Sequence, residues 1–230
     1  MRQRFPDSEH IIVDGGSTDR TPDIFKKYRK HIQVYRHKGE DQVHAINWGL
    51  ARATGDVVCY INADDYYLPG AFYRVAEIFS QDPRVRWITG DYTIVNARGK
   101  LVHRAIPVYK KIVRSTRSFI SLLTLNYIAQ PSTFWTKRAM KHIGYFDTSL
   151  RFAFDYDYWL RMIRKYPLYV APEQLSAFRI HQRAKGSVAY PAQFKEDLEV
   201  AARYSNNAGV TLVHRMHNQM IVWMYNRIKK

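Results

Sequence analysis

Two places in this sequence put carboxylates where the chain leaves a strand. The apolar run His10-Ile11-Ile12-Val13 stops at Asp14-Gly15-Gly16, and Asp56-Val57-Val58-Cys59-Tyr60-Ile61 runs into Asn62-Ala63-Asp64-Asp65. In open parallel sheets ligands bind beyond the carboxyl ends of the strands, so these acids stand where chemistry is done. Neighbouring carboxylates repel, and Asp64-Asp65 is costly unless a cation or hydrogen-bond donors compensate it. A divalent ion shared with a diphosphate compensates it well, because Mg2+ and Mn2+ take one or two carboxylates together with phosphate oxygens. An Asp-Asp pair alone also reads as a loop or a cap, so its meaning rests on its surroundings.

Those acids need a scaffold, and the sequence alternates strand and helix from its first residues. After the strand ending at Asp14, Ser17-Thr18-Asp19 can cap a helix from Thr21 to about Lys30, with Pro22 in its first turn. Ile32 to Tyr35 reads as a second strand. A helix over 42–52 places Val43, Ile46, Trp48 and Leu50 near one face and ends before Gly55. The run from Asp56 to Ile61 is continuous in apolar character, as a central strand would be, and Pro69 opens another helix reaching about Ser80. This order predicts an α/β fold with a mostly parallel sheet flanked by helices on both faces. Farther on, Trp87-Ile88-Thr89 and Tyr92 to Val95 read as strands, Asn96 to Lys100 as a turn, Asp155 to Lys165 as a helix and Asp197 to Lys230 as a helical tail.

Composition narrows the partners. In 230 residues, 36 Lys and Arg face 20 Asp and Glu, a formal charge of +16. No acid falls between Asp91 and Asp147, whereas cations such as Arg104, Lys110, Lys111, Arg114 and Arg117 do. Such a balance fits either a solvated basic face or an anionic partner. The single cysteine cannot close an internal disulfide, and Cys59 reads as a small buried hydrophobe in a reducing, cytoplasmic setting. The polar first ten residues offer no apolar core for a signal peptide. The uncharged run Ser118 to Thr136 is broken by Asn126, Gln130 and Pro131, so no membrane-spanning helix is expected. The basic stretch Lys110-Lys111 and Arg114 to Arg117, followed by uncharged Phe119 to Leu125, is instead expected to lie peripherally against an anionic membrane.

Five segments in order, IIVDGGSTDRTPDI, AINWGLARATGDVVCYINADDYYLPGA, QPSTFWTKRAMKHIGYFD, FDYDYWLRM and AFRIHQ, resemble glycosyltransferase family 2, the inverting nucleotide-sugar transferases with the Rossmann-like GT-A fold. The resemblance implies a donor that is a nucleoside-diphosphate sugar, an acceptor that is a polysaccharide or lipid-linked glycan, and Mn2+ or Mg2+ as cofactor. It assigns Asp14 and Gly15 to the nucleotide pocket, Asp64 and Asp65 to the ribose-binding and metal-binding acids, and His181 to the histidine that approaches metal and diphosphate. It makes Asp155 the catalytic base, with Asp157 as its nearby substitute, and places Gln130 in a loop that shapes the donor sugar pocket. It divides the chain into a GT-A unit over 1–190, with a nucleotide-binding half to about residue 95 and an acceptor half beyond, and a helical extension over 191–230.

The sequence departs from the family in three places. The strand and helix that normally precede the His10–Asp14 segment are not in this sequence, which reads as N-terminally truncated and leaves neighbouring strands with unpaired backbone groups. Relatives place an acid three residues before Gln42, and here Glu40 or Asp41 stands nearby. Gly15 replaces an acid found in some users of uridine nucleotides, so the base is left open. Two other readings of the whole chain are a catalytically impaired family member and a sugar nucleotidyltransferase. The latter lacks its usual Gly-rich, Arg-containing triphosphate loop here. The basic residues form no nucleic-acid-binding motif, and no specific nucleic acid is expected.

Overall fold

The structure, a computed structural model, describes residue 3 and residues 5–37, 41–181 and 190–227. In chain order its strands are β1 (Ile11–Asp14), β2 (Gln33–Arg36), β3 (Val57–Val58), β4 (Tyr66–Tyr67), β5 (Trp87–Asn96), β6 (Thr133–Thr136) and β7 (Tyr169–Ile180). The helices are α1 (Thr21–Tyr28), α2 (Gln42–Arg52), α3 (Ala71–Gln81), α4 (Ala105–Arg114), α5 (Phe119–Thr124), α6 (Lys137–Ile143), α7 (Phe154–Ile163), α8 (Tyr190–Tyr204) and α9 (Ala208–Arg227).

The class is α/β, as the alternation of elements requires, and the sheet is mixed. β1 and β2 form a parallel ladder, Ile11 opposite Gln33 and Asp14 opposite Arg36, with α1 as the crossover. A second sheet runs in the order β3-β6-β5-β7-β4. In it β5 and β7 are parallel, while β6 runs antiparallel to both β3 and β5, and β4 antiparallel to β7. The expected parallel pairing is therefore confined to β1–β2 and β5–β7. The short strand β6 wedges between β3 and β5, and the run expected as a six-residue central strand pairs only through Val57 and Val58.

No ladder joins β1 to β3 among the described residues. Side chains bridge them instead. The Glu9 carboxylate accepts the Thr54 and Gly55 N–H groups at 2.5 and 3.1 Å, tying the start of β1 to the turn before β3. α2 lies over β1 so closely that a Cβ on Gly49 would come within 3.3 Å of Val13 Cγ2.

The core forms where helices cover the sheet. On one face, Trp87 and Trp159 stack at 5.9 Å and Trp135 meets Trp159 edge-on at 5.4 Å, all three wholly buried. Leu122 and Leu123 of α5, Val200 of α8 and Ile221 of α9 belong to the same cluster, so the C-terminal helices share this core. Truncating any of these tryptophans to alanine should cost about 3–5 kcal/mol. On the other face, Val75 and Ile78 of α3 pack against Ile88 and Phe134. Cys59 fits the structural reading: its sulfur accepts the Tyr67 hydroxyl at 3.2 Å, and burial pushes the thiol up to about 11.

The basic stretch expected to face a membrane is divided by the fold. Arg114 is buried, donating to the Gly90 carbonyl at 2.8 Å and pairing with Asp91, which also accepts from Lys111 at 2.5 Å. Leu122, Leu123 and Leu125 are buried, so from this stretch Lys111, Arg117, Ile112 and Ile120 remain at the surface. Hydrophobic burial and one acid, Asp91, draw the others inward.

Candidate active site

β1 delivers Asp14 to the end of its ladder, where it is largely buried. Its Oδ1 accepts the Ser17 hydroxyl at 2.6 Å and the Ser17 N–H at 3.0 Å. The hydroxyl bond, more than any other influence, holds this carboxyl below the usual range. Ser17 is thus engaged here rather than at the start of α1, where Asp19 accepts the Thr21 N–H. The other oxygen, Oδ2, is buried with no partner among the described residues. At the neighbouring glycines, the backbone requirement falls on Gly16, whose φ is 104°, while a Cβ at Gly15 would meet nothing within 4 Å. Gly15 therefore leaves open space beside Asp14.

The tight turn after β3 places Asp64 and Asp65 against the end of β7. The Asp65 N–H closes that turn onto the Asn62 carbonyl at 3.1 Å, and Gln42 at the start of α2 holds the Asn62 side chain at 2.8 Å. Asp65 Oδ1 accepts the Arg179 N–H at 2.8 Å, and the Arg179 guanidinium donates to the Asp64 carbonyl at 2.8 Å. His181 Nε2 lies 3.2 Å from Asp64 Oδ2. His181, expected to approach a metal and diphosphate, lies against Asp64, while the Arg179 N–H occupies Oδ1 of Asp65.

Asp65 Oδ2 is buried without a partner among the described residues. Burial, aided by the charge of Asp64 and opposed by the Arg179 N–H, pushes Asp65 up to about 7. A buried carboxylate that holds a proton this readily is one that a cation can displace it from. The Asp64 and Asp65 carboxylates suit a hard divalent ion, which takes oxygen ligands. Among the described residues no group of three or more His, Cys, Asp or Glu side chains is arranged to hold a metal ion. Such an ion would take part of its coordination from its ligand.

Asp155 enters from the first turn of α7 and is half-buried. Burial pushes it up to about 6, against the opposing influence of the Tyr156 N–H, which it accepts at 2.7 Å, and the charge of Lys110. Asp157 offers no substitute. Its two oxygens accept Arg161 Nε at 2.8 Å and the Tyr204 hydroxyl at 2.7 Å. Tyr60, just beyond β3, feels the charges of both Asp155 and Asp65. Gln130, expected in a sugar pocket, is buried and donates to the Tyr60 carbonyl at 2.7 Å, a bond that positions the backbone leading to Asp64. Asp41 caps α2, accepting the Val43 and His44 N–H groups, and Glu40 lies outside the described residues.

Sequence reasoning missed the acidic and basic groups gathered around Asp155. Glu196 of α8 accepts the N–H groups of Arg151, Phe152 and Ala153 at 3.0, 2.5 and 2.6 Å. It caps α7 from another helix, since Ala153 at the cap position has no side-chain acceptor. Asp197, next on α8, is buried, and desolvation followed by the charge of Asp155 pushes it up to about 8. Lys110 of α4 opposes that rise, and burial pulls its own pKa down. No local pattern marks Lys110, Glu196 or Asp197, because they meet Asp155 only through packing of α4 and α8 on α7. Arg179 was within reach of sequence reading, standing two residues before His181.

Comparison with known proteins identifies the chain's family and fold. Residues 1–143 match the family model described as Glycosyl transferase family 2. A poly-beta-1,6-N-acetyl-D-glucosamine synthase from Staphylococcus epidermidis is 28% identical over 154 residues, covering 64% of this chain and 36% of that one. An uncharacterized glycosyltransferase from Nostoc sp. is 30% identical over 124 residues, covering 52% and 38%. This chain thus spans about a third of the length of these curated relatives. Among solved structures, a mannosyltransferase from Pyrobaculum calidifontis in complex with GDP-Man and Mn2+ superposes with a TM-score of 0.69 at 16% identity, covering 95% of this chain and 62% of that one. S. aureus TarS 1-349 in complex with UDP-GlcNAc gives 0.65 at 22% identity, covering 87% and 59%. Both show the same GT-A fold.

Proposed function

This chain belongs to glycosyl transferase family 2 and is a glycosyltransferase, and from that premise we propose that it moves a sugar from a nucleoside-diphosphate sugar to a hydroxyl of a polysaccharide or lipid-linked acceptor, by one inverting displacement with Asp155 as base. The observation that carries the proposal is the division of its carboxylates. Asp14 and Asp65 each keep a buried oxygen with no partner among the described residues, near strand ends, whereas Asp155 stands separately at the start of a helix.

Asp14, beside the open space at Gly15, is placed to receive ribose hydroxyls, its ionised form held by Ser17. Asp64, Asp65 and His181 are the residues that would hold Mn2+ or Mg2+. When bound, such an ion supplies positive charge against the departing diphosphate. Arg179 keeps Asp64 and Asp65 in register with β7 through its backbone N–H and its guanidinium. Asp155, ionised above about pH 6, takes the proton of the acceptor hydroxyl. As that oxygen bonds to the anomeric carbon, the bond from that carbon to the phosphate oxygen breaks, and its electron pair leaves with the nucleoside diphosphate. Lys110 and the α7 N-terminus balance the negative charge of Asp155 between turnovers.

A cytoplasmic placement goes with this proposal, in keeping with a sequence whose one cysteine can close no internal disulfide. The relatives' donors supply the probes. The chain should release nucleoside diphosphate from UDP-GlcNAc or GDP-Man in the presence of Mn2+ and a glycan acceptor. Asp155→Asn should abolish release while leaving nucleotide affinity within twofold, as expected for a base contributing about 10²–10⁴ in rate. Equal turnover by Asp155→Asn would overturn the assignment of the base. Loss of nucleotide binding in the same variant would place Asp155 in the donor site instead.

A further inference from the structure

α9 carries apolar side chains on its outward face as well as on the face it turns to the core. Its inward face carries His214 and Asn218 along with Ile221, all buried, while Leu212, Met216 and Met220 on the outward face are 60%, 58% and 43% exposed. An ordinary surface helix turns its apolar stripe to the core and its polar residues to water. At ~100° per residue, Leu212, Met216, Met220 and the half-exposed Trp223 fall within about one quarter of the helix circumference. They form a continuous apolar ridge.

A second exposed apolar strip lies beside it. α4 exposes Val108 and Ile112, at 57% and 65%, and α5 exposes Ile120. The two strips flank one contact: the ring of Tyr109 on α4 meets that of His217 on α9 edge-on at 5.9 Å, and His217 Nδ1 lies 2.9 Å from the Thr124 carbonyl at the end of α5. Ile112 stands about 60° around α4 from Tyr109, and Met220 stands about 60° around α9 from His217, both toward solvent.

This face is also where the two acid-free tracts of the sequence meet. Residues 92–146 contain no Asp or Glu, and none follows Glu199. Arg104, Lys111, Arg117 and Arg215 are exposed on these tracts. An exposed apolar ridge flanked by cations with no acids is complementary to one kind of partner, an apolar phase under an anionic layer. Among the described residues no helix is long and apolar enough to cross a membrane, so contact would be along the surface.

We propose that the α4–α9 face, with Leu212, Met216, Met220, Val108 and Ile112 inserted and Arg104, Arg117 and Arg215 on the headgroups, seats this protein on an anionic lipid bilayer. The lipid contact stands without the transferase proposal. Only its use in meeting a lipid-linked acceptor rests on it, because Lys110, on the inner side of α4, acts on Asp155.

The test is cosedimentation of the purified chain with vesicles of phosphatidylcholine alone and with 30 mol% phosphatidylglycerol, alongside size-exclusion light scattering and an oligonucleotide-binding control. The anionic vesicles should bind at least about tenfold more tightly than the neutral ones, and binding should weaken with salt. Leu212→Asp/Met216→Asp, both at exposed positions, should lose at least about tenfold in vesicle affinity while melting within ~2 °C of wild type. Val108→Asp/Ile112→Asp should do the same and guards against one variant failing to fold. Three results would each overturn the proposal: no binding to anionic vesicles at low salt, unchanged binding by both folded variants, or a lipid-independent dimer that the same substitutions dissolve. Binding to the oligonucleotide with none to vesicles would assign the basic face to nucleic acid and would equally overturn it.

Discussion

Removing the Glu196 carboxylate should loosen the helix that carries Asp155, by an amount the structure allows to be worked out. In wild type this side chain accepts the N–H groups of residues 151, 152 and 153. In Glu196→Ala the Arg151 amide is exposed and regains water, Phe152 regains it in part, and Ala153, wholly buried, does not. One orphaned buried N–H costs about 1–3 kcal/mol, and the lost charge at a helix N-terminus adds roughly 0.5–1. A destabilisation of about 2–4 kcal/mol follows, which in a chain of this size lowers Tm by about 4–16 °C. Glu196→Gln keeps one acceptor oxygen and should fall between. Because Asp155 lies two residues beyond Ala153, kcat should drop about tenfold with the donor KM unchanged, and the glutamine variant should recover part of it. Differential scanning fluorimetry and nucleotide-release kinetics read both effects. A Tm within 1 °C of wild type together with an unchanged kcat would refute the claim that α8 positions the base.

Two further expectations concern pH. The rate should rise through an inflection near pH 6, where Asp155 loses its proton, and this limb should be absent from the residual activity of Asp155→Asn, as a pH profile of kcat would show. Asp197 holds its proton in the folded state up to about pH 8 but only to about 3.8 when unfolded, so the native state binds the extra proton between those values and wild-type stability falls as pH rises across that window. Asp197→Asn should remove that loss and gain a few kcal/mol over wild type at pH 8 but not at pH 4, measured by urea titration; equal differences at both pH values would contradict the burial of an ionisable Asp197.

Much of the nucleotide side was legible in the sequence, because its acids follow their strands directly. Asp14 after Ile11–Val13 and Asp64-Asp65 after Val57–Ile61 needed only local patterns, and α2 runs over the expected residues, capped by Asp41 at its start. The sheet was less legible. β6 is short, β5 is interrupted between Thr89 and Tyr92, and at Gly90 a Cβ would come within 2.5 Å of Leu175 Cδ1, a fit visible only once β5 and β7 are paired. The surroundings of Asp155 were illegible for the same reason: Lys110 and Glu196 lie 45 and 41 residues from it in sequence and act through tertiary packing. Charge density misled at Arg114, where Asp91 and the Gly90 carbonyl account for what looked like a solvated cation.

The most direct test of the central claim is the thermal stability of the purified chain with UDP and GDP, each with and without Mn2+, in wild type and Asp65→Ala. Binding to the native state at 100 times Kd contributes ~2.7 kcal/mol, a rise in Tm of about 5–11 °C. The carboxylate geometry predicts a rise with at least one nucleotide that requires Mn2+ and vanishes in Asp65→Ala. No rise with either nucleotide, or a rise that Asp65→Ala retains in full, would contradict a donor site built on Asp14, Asp64 and Asp65.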